Sequence, residues 1–135
     1  MLDCSVTMAW CFGDEAGSYA DAVLDSLADG EAIVPSIWPL EVANVLAVAE
    51  RRGRIRESDS ARFVELLKAL PIAVEDTPFA RATGAVLSLA REHALSAYDA
   101  CYLELAMRTG VALASHDKGL RRACRRSGVL LFTRE

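Results

Sequence analysis

Short apolar runs alternate along this chain with longer segments whose apolar residues recur at helical spacing, and that alternation constrains the fold more than any other feature. Ala32-Ile33-Val34, Ile72-Ala73-Val74, Val111 to Ala114 and Val129 to Phe132 each read as a strand. Between them, helical periodicity runs through Ala20 to Leu27, Leu40 to Ala49, Ser60 to Leu70, Phe79 to Ala90, a segment capped by Ser96 and ending at Thr109, and Gly119 to Arg126. Gly30, Gly53, Pro71, Gly110 and Gly128 punctuate these elements at their ends. Strands that are apolar on both sides need both faces covered, which predicts an α/β domain with a mainly parallel central sheet between helix layers. The opening Met1 to Val6 reads as a further short strand and turn.

A length of 135 residues suits one domain, expected over residues 1–135, and 53% hydrophobic against 25% charged residues argues for a packed core rather than disorder. The formal charge of -4 excludes the broad positive field of a simple nucleic-acid binder. Positive charge is instead local: Arg51, Arg52, Arg54 and Arg56 form one run, and Lys118, Arg121, Arg122, Arg125 and Arg126 another. Each run alone is equally well explained as a solvated helix face. Cys4, Cys11, Cys101 and Cys124 have neither a close CxxC pair nor the histidine partners of a zinc site, so buried free thiols in a reducing cytoplasm are expected. No apolar run approaches the roughly eighteen residues of a membrane span, and no basic leader opens the chain.

Against this background four carboxylates stand out. Asp3 sits in the first strand-like segment, where a sealed, unpaired charge would be costly, although solvent or a turn would also accommodate it. Glu41 interrupts a helix that is apolar almost all round, with Asn44 one turn along as a hydrogen-bond partner or an orienting group. Asp99, three residues after Ser96, fits a short-acid capping box as well as it fits a site, and its neighbours Tyr98, Cys101 and Leu103 suggest packing against the core. Asp117 follows a strand and the pair Ser115-His116, where it can cap the last helix or enter a strand-end loop. His116 alternates away from its neighbours in an extended segment and reads as solvated or locally bonded; His93 attracts no specific role.

The stretches LDCSVTMAWCF, WPLEVANVLAVA, LSAYDACYLELAM and VALASHDKGLRRA resemble, in order and over almost the whole chain, the successive motifs of PIN-domain proteins, especially VapC-like ribonuclease toxins of toxin–antitoxin pairs. The resemblance implies a three-layer α/β/α sandwich and an acidic site of Asp3, Glu41, Asp99 and Asp117 around Mg2+ or Mn2+, with Ser5 and Ser115 as hydroxyl residues beside the first and last acids. His116, between Ser115 and Asp117, is a departure at a variable position. It further implies RNA as substrate, a cognate small antitoxin as inhibitor, and a homodimer within a toxin–antitoxin hetero-oligomer.

Carboxylates are hard oxygen ligands that suit these cations, whereas zinc more often takes Cys or His. Arg51, Arg52, Arg121 and Arg125 are the candidate phosphate contacts, and a single-stranded or looped RNA is the expected substrate. Trp10, Phe12 and Trp38 are candidate interface residues, with core packing favoured for Trp38. A catalytically silent PIN-like module binding RNA or protein, and a DNA nuclease, are the alternative readings.

Overall fold

The computed structural model describes residues 1–13 and 17–133. Its elements are α1 (Cys4–Ala9), α2 (Ser18–Ser26), β1 (Ala32–Pro35), α3 (Trp38–Arg51), α4 (Glu57–Lys68), β2 (Ile72–Glu75), α5 (Phe79–Arg81) running through a π-helical turn (Ala82–Val86) into α6 (Leu87–His93), then α7 (Ala97–Thr109) and α8 (Lys118–Ser127). The strands are shorter than the apolar runs that encode them. β1 and β2 pair in parallel, Ala32 opposite Ile72 through Pro35 opposite Glu75. The remaining sheet contacts among the described residues are single parallel bridges, Leu2 with Ala114 and Leu113 with Leu131.

Backbone hydrogen bonds nevertheless join five segments across the molecule. Leu2 N–H reaches Ile33 O, Asp3 N–H reaches Ala114 O, and Phe132 N–H reaches Leu113 O. The result is a small, mainly parallel sheet with helices packed around it, the expected α/β class. The expected strands at 111–114 and 129–132 contribute one or two paired residues each, because the chain crosses the sheet there only briefly before its loops turn away.

The opening strand and turn expected over Met1 to Val6 needs correction. Only Leu2 pairs; α1 begins at Cys4, and the N–H groups of Val6 and Thr7 bond to Asp3 O. Five of the six α1 residues are buried, so the helix has no polar face and its sequence lacks the amphipathic period that would reveal it. The helix expected over Phe79 to Ala90 is likewise interrupted, by the π turn that contains Gly84.

α3 starts with Pro39 in its first turn, where a missing N–H costs nothing, and buries Trp38, Val42, Leu46 and Ala49 at helical spacing. α7 is enclosed more completely: Ala100 and Tyr102 through Ala106 are all buried, and it packs on α8, β1, α6 and the π turn. It ends on Gly110, whose φ of 71° is the left-handed conformation glycine adopts without strain. Trp38, 7% exposed, is the core residue that was favoured, and Phe12, 4% exposed, is also core and not the interface aromatic it was a candidate for. Trp10 is partly buried, its indole N–H bonded to Ala20 O; aromatic area of this size gains more from the core than from solvent. None of the four cysteines is in a disulfide; Cys4 and Cys124 are buried, and Cys11 and Cys101 half-buried. No helix among the described residues is long and apolar enough to cross a membrane.

Candidate active site

Each of the four singled-out acids stands at the N-terminal end of a helix. Asp3 is the N-cap of α1, Glu41 lies in the first turn of α3, Asp99 in the first turn of α7, and Asp117 is the N-cap of α8. In a parallel sheet the strand ends and the helix starts that follow them share one edge, which brings residues far apart in sequence to the same place. Helix N-termini carry partial positive charge, a setting that tolerates carboxylates. All four acids line one open hollow of about 650 Å3, walled also by Ser5, His116 and the apolar Met8, Ala9 and Val45.

Asp3 is the most deeply placed, 5% exposed. Its Oδ2 accepts hydrogen bonds from Ser5 Oγ at 2.8 Å and from Ser115 Oγ at 2.6 Å. Ser115, fully buried, also accepts from Asp117 N–H at 2.9 Å, and Ser5 Oγ accepts from His116 N–H at 3.0 Å. The two hydroxyls therefore clamp the first acid to the loop that carries the last. Arg121 closes that loop by donating to Ser115 O at 2.9 Å.

Glu41 is held by a residue that the sequence motifs did not single out. The Tyr102 hydroxyl, on a side chain with no exposure, donates to Glu41 Oε1 at 2.6 Å. Tyr102 lies three positions after Asp99 on α7, so the spacing that puts both on one helix face was present in the sequence. The Asp99 N–H bonds to Ser96 Oγ at 3.1 Å, the expected cap. Of its named neighbours, Leu103 packs in the core, Cys101 is half-buried and Tyr98 is 60% exposed, so the expected packing by Tyr98 does not occur. Asp117 Oδ1 accepts from Leu120 N–H at 2.7 Å and caps α8.

Burial, foremost, pushes the carboxyl groups of Asp3, Glu41 and Asp99 above their ordinary range. Mutual repulsion adds to it: Asp117 acts on Asp3, Asp3 and Asp99 on Glu41, and Asp117 and Asp3 on Asp99. Hydrogen bonds from Ser115 and Ser5, from Tyr102 and from Ser96 pull in the opposite direction. The Cys4 thiol in the same hollow is pushed up to about 12, first by burial and then by Glu41 and Asp3. Burial and the surrounding acids thus favour its neutral form. Among the described residues, no three acidic, histidine or cysteine side chains converge closely enough to enclose a metal ion by themselves.

Asn44 and the four candidate arginines fall outside the hollow. Asn44 is exposed and faces a neighbouring depression with Arg52, not the acids. Arg51 is exposed at the end of α3 and Arg125 on α8, while Arg121 is half-buried in its bond to the Ser115 loop and lies over the Tyr19 ring. His116 is exposed but lines the hollow, its ring 5.3 Å from that of Tyr19.

Comparison with known proteins bears on the family and the fold. The chain is 34% identical over 80 residues to Ribonuclease VapC3 of Pyrobaculum aerophilum, a match that spans 59% of this chain and 61% of that protein's length. It superposes on the crystal structure of PAE2754 from Pyrobaculum aerophilum with a TM-score of 0.68 at 22% identity, over 90% of this chain and 83% of the other, a likeness of fold. The PIN-domain family model matches residues 1–126, nearly the whole chain, and so establishes that this chain belongs to the PIN-domain family.

Proposed function

We propose that residues 1–135 form one metal-dependent endoribonuclease domain, a VapC-like toxin that hydrolyses RNA phosphodiester bonds in the cytoplasm. The observation that carries this reading is the meeting of Asp3, Glu41, Asp99 and Asp117 in one electrostatically coupled hollow within a PIN fold. Likeness to a ribonuclease over part of its length supports RNA as the substrate.

The donor set fits Mg2+, with Mn2+ as a second choice. Mg2+ keeps several of its waters and is usually bound through one or two carboxylates plus substrate phosphate, so separated acids around an open hollow suit it better than a closed cage would. Asp3 and Asp99 are assigned as direct ligands, and Glu41 and Asp117 as ligands or holders of its waters. A bound cation supplies a nucleophilic water at neutral pH and offsets charge developing on the phosphate oxygens.

The chain's own residues fix the geometry. Ser5 and Ser115 hold the Asp3 carboxylate and favour its ionised form, and Tyr102 does the same for Glu41. Asp117 is engaged as a helix cap through Oδ1, which suits orienting a water more than enclosing an ion. Arg51, Arg52, Arg121 and Arg125 are the proposed phosphate contacts; Arg121 is the least free of them because it braces the Ser115 loop. A small antitoxin covering the hollow, and a homodimer within the toxin–antitoxin hetero-oligomer, complete the proposal.

A PIN-like module that binds RNA or protein without cutting is the second reading, favoured by the lack, among the described residues, of a ready three-ligand cluster. Incubating antitoxin-free protein with total cellular RNA in Mg2+, Mn2+ or chelator, and mapping new ends against an Asp99→Asn control, separates the two. Cation-dependent ends that the control lacks are expected. Cleavage undiminished in Asp3→Asn/Asp99→Asn protein, shown folded by circular dichroism, would refute the site; stoichiometric RNA binding with no new ends would favour the module.

A further inference from the structure

The acid hollow does not end at Glu41. Two helices that pack together, α1 and α3, bound it on one side, and both continue past it. Val45 lines the acid hollow and also a second depression of about 240 Å3, where Phe12 follows α1 and Asn44, Val48 and Arg52 follow Glu41 along α3. From Glu41 to Val48 the helix rises about 10 Å, a step within reach of the nucleotide next to a phosphate held at the acids.

The chemistry changes along that step. The acid hollow is anionic and repels a phosphate that lacks a cation, whereas the second depression is lined by Arg52 and Arg54 and, among the described residues, by no acid. Its aromatic wall is already covered: the Arg54 guanidinium lies over the Phe12 ring, 3.9 Å from its centroid. A guanidinium plane on an aromatic ring is the kind of surface beside which splayed-out bases lie in single-stranded RNA recognition. Asn44 adds an exposed amide, with a donor and an acceptor side by side, the pattern that reads a base edge. At about 240 Å3 the depression is below the roughly 300–1,000 Å3 of drug-sized sites and suits a small group more than an extended ligand.

We propose that this depression is a nucleobase subsite, which takes the base adjacent to the cleaved phosphate of single-stranded RNA, with Asn44 reading its edge and Arg52 holding its phosphate. The inference rests on the nuclease reading for its register, but binding tests it separately. Full-length protein carrying Asp99→Asn, which keeps RNA intact, is titrated by fluorescence anisotropy with labelled octamers of A, C, G and U in Mg2+. Asn44→Ala in this background is expected to compress the spread between best and worst octamer by about tenfold. Arg52→Gln should weaken all four several-fold and reduce the salt slope by about one.

Both positions are exposed, so folding is not at stake. Base preference that survives Asn44→Ala overturns the subsite, and so does a uniform weakening by Arg52→Gln unaccompanied by an Asn44 effect, which would leave a phosphate contact alone. Asn44-dependent preference in a protein whose wild-type form cuts no RNA sustains the subsite while the nuclease reading fails.

Discussion

Replacing Ser115 by Ala probes the clamp between the first and last acids. Its hydroxyl donates to a buried carboxylate at 2.6 Å and accepts a backbone N–H at 2.9 Å. A hydrogen bond to a charged group contributes about 1.5–3 kcal/mol and a neutral one about 1 kcal/mol, so the loss should be about 2.5–4 kcal/mol, a large part of a typical total of about 5–15 kcal/mol. In urea, with a slope of about 2 kcal/mol/M, the midpoint should fall by about 1–2 M. The same substitution made in Asp3→Asn protein should cost only about 1–2 kcal/mol, because the partner is then neutral. The pH dependence has a definite sign. Ser115 bonds the ionised form and lowers the folded-state value of Asp3 relative to the variant, so the cost is full above the variant's folded-state value and shrinks as pH falls through the wild-type one. Equal costs in the wild-type and Asp3→Asn backgrounds would refute the reasoning, and would leave Ser115 a role in the loop backbone only.

Two further outcomes follow from the same electrostatics. Asp3, Glu41 and Asp99 have folded-state values raised above their unfolded ones, so their stabilising contribution is complete below about pH 4 and is lost as pH rises through the raised values. Metal-free protein should therefore melt at progressively lower temperature as pH rises from about 4 through these raised values. Mg2+ at about ten times its Kd should recover about 1.4 kcal/mol at pH 7.5, and absence of any cation-dependent shift in Tm would count against the metal assignment. Tyr102→Phe keeps the buried ring but strips Glu41 of its donor; it should cost about 1–2 kcal/mol and lower kcat for RNA cleavage with little change in KM, whereas a change in KM alone would contradict a positioning role.

How much of this was legible beforehand differs from element to element. An amphipathic helix such as α8 declares itself by period, because Leu120, Ala123 and Cys124 face the core while Arg122, Arg125 and Arg126 meet solvent. α1 does not, since five of its six residues are buried and its pattern is that of a strand. Trp38 and Phe12 were ambiguous for a similar reason: an aromatic is equally at home in a core and at an interface, and only packing decides. The acids were ambiguous because the same residue type caps helices and binds cations. Asp117 does cap α8 and Asp99 does sit behind a capping serine, so the structural explanations were true and the gathering of the acids is compatible with them.

Local sequence determined the helices after α1 apart from the π turn, their stops at Gly110 and Gly128, the α/β class and, through motif order, membership of the PIN-domain family. These depend on neighbours a few residues apart, where periodicity and backbone preference act. The clamp of Ser5 and Ser115 on Asp3, the Tyr102 bond to Glu41, and the second depression along α3 depend on side chains up to 112 positions apart. Only the parallel crossing of the sheet, which places several strand ends and helix starts on one edge, brings them into contact.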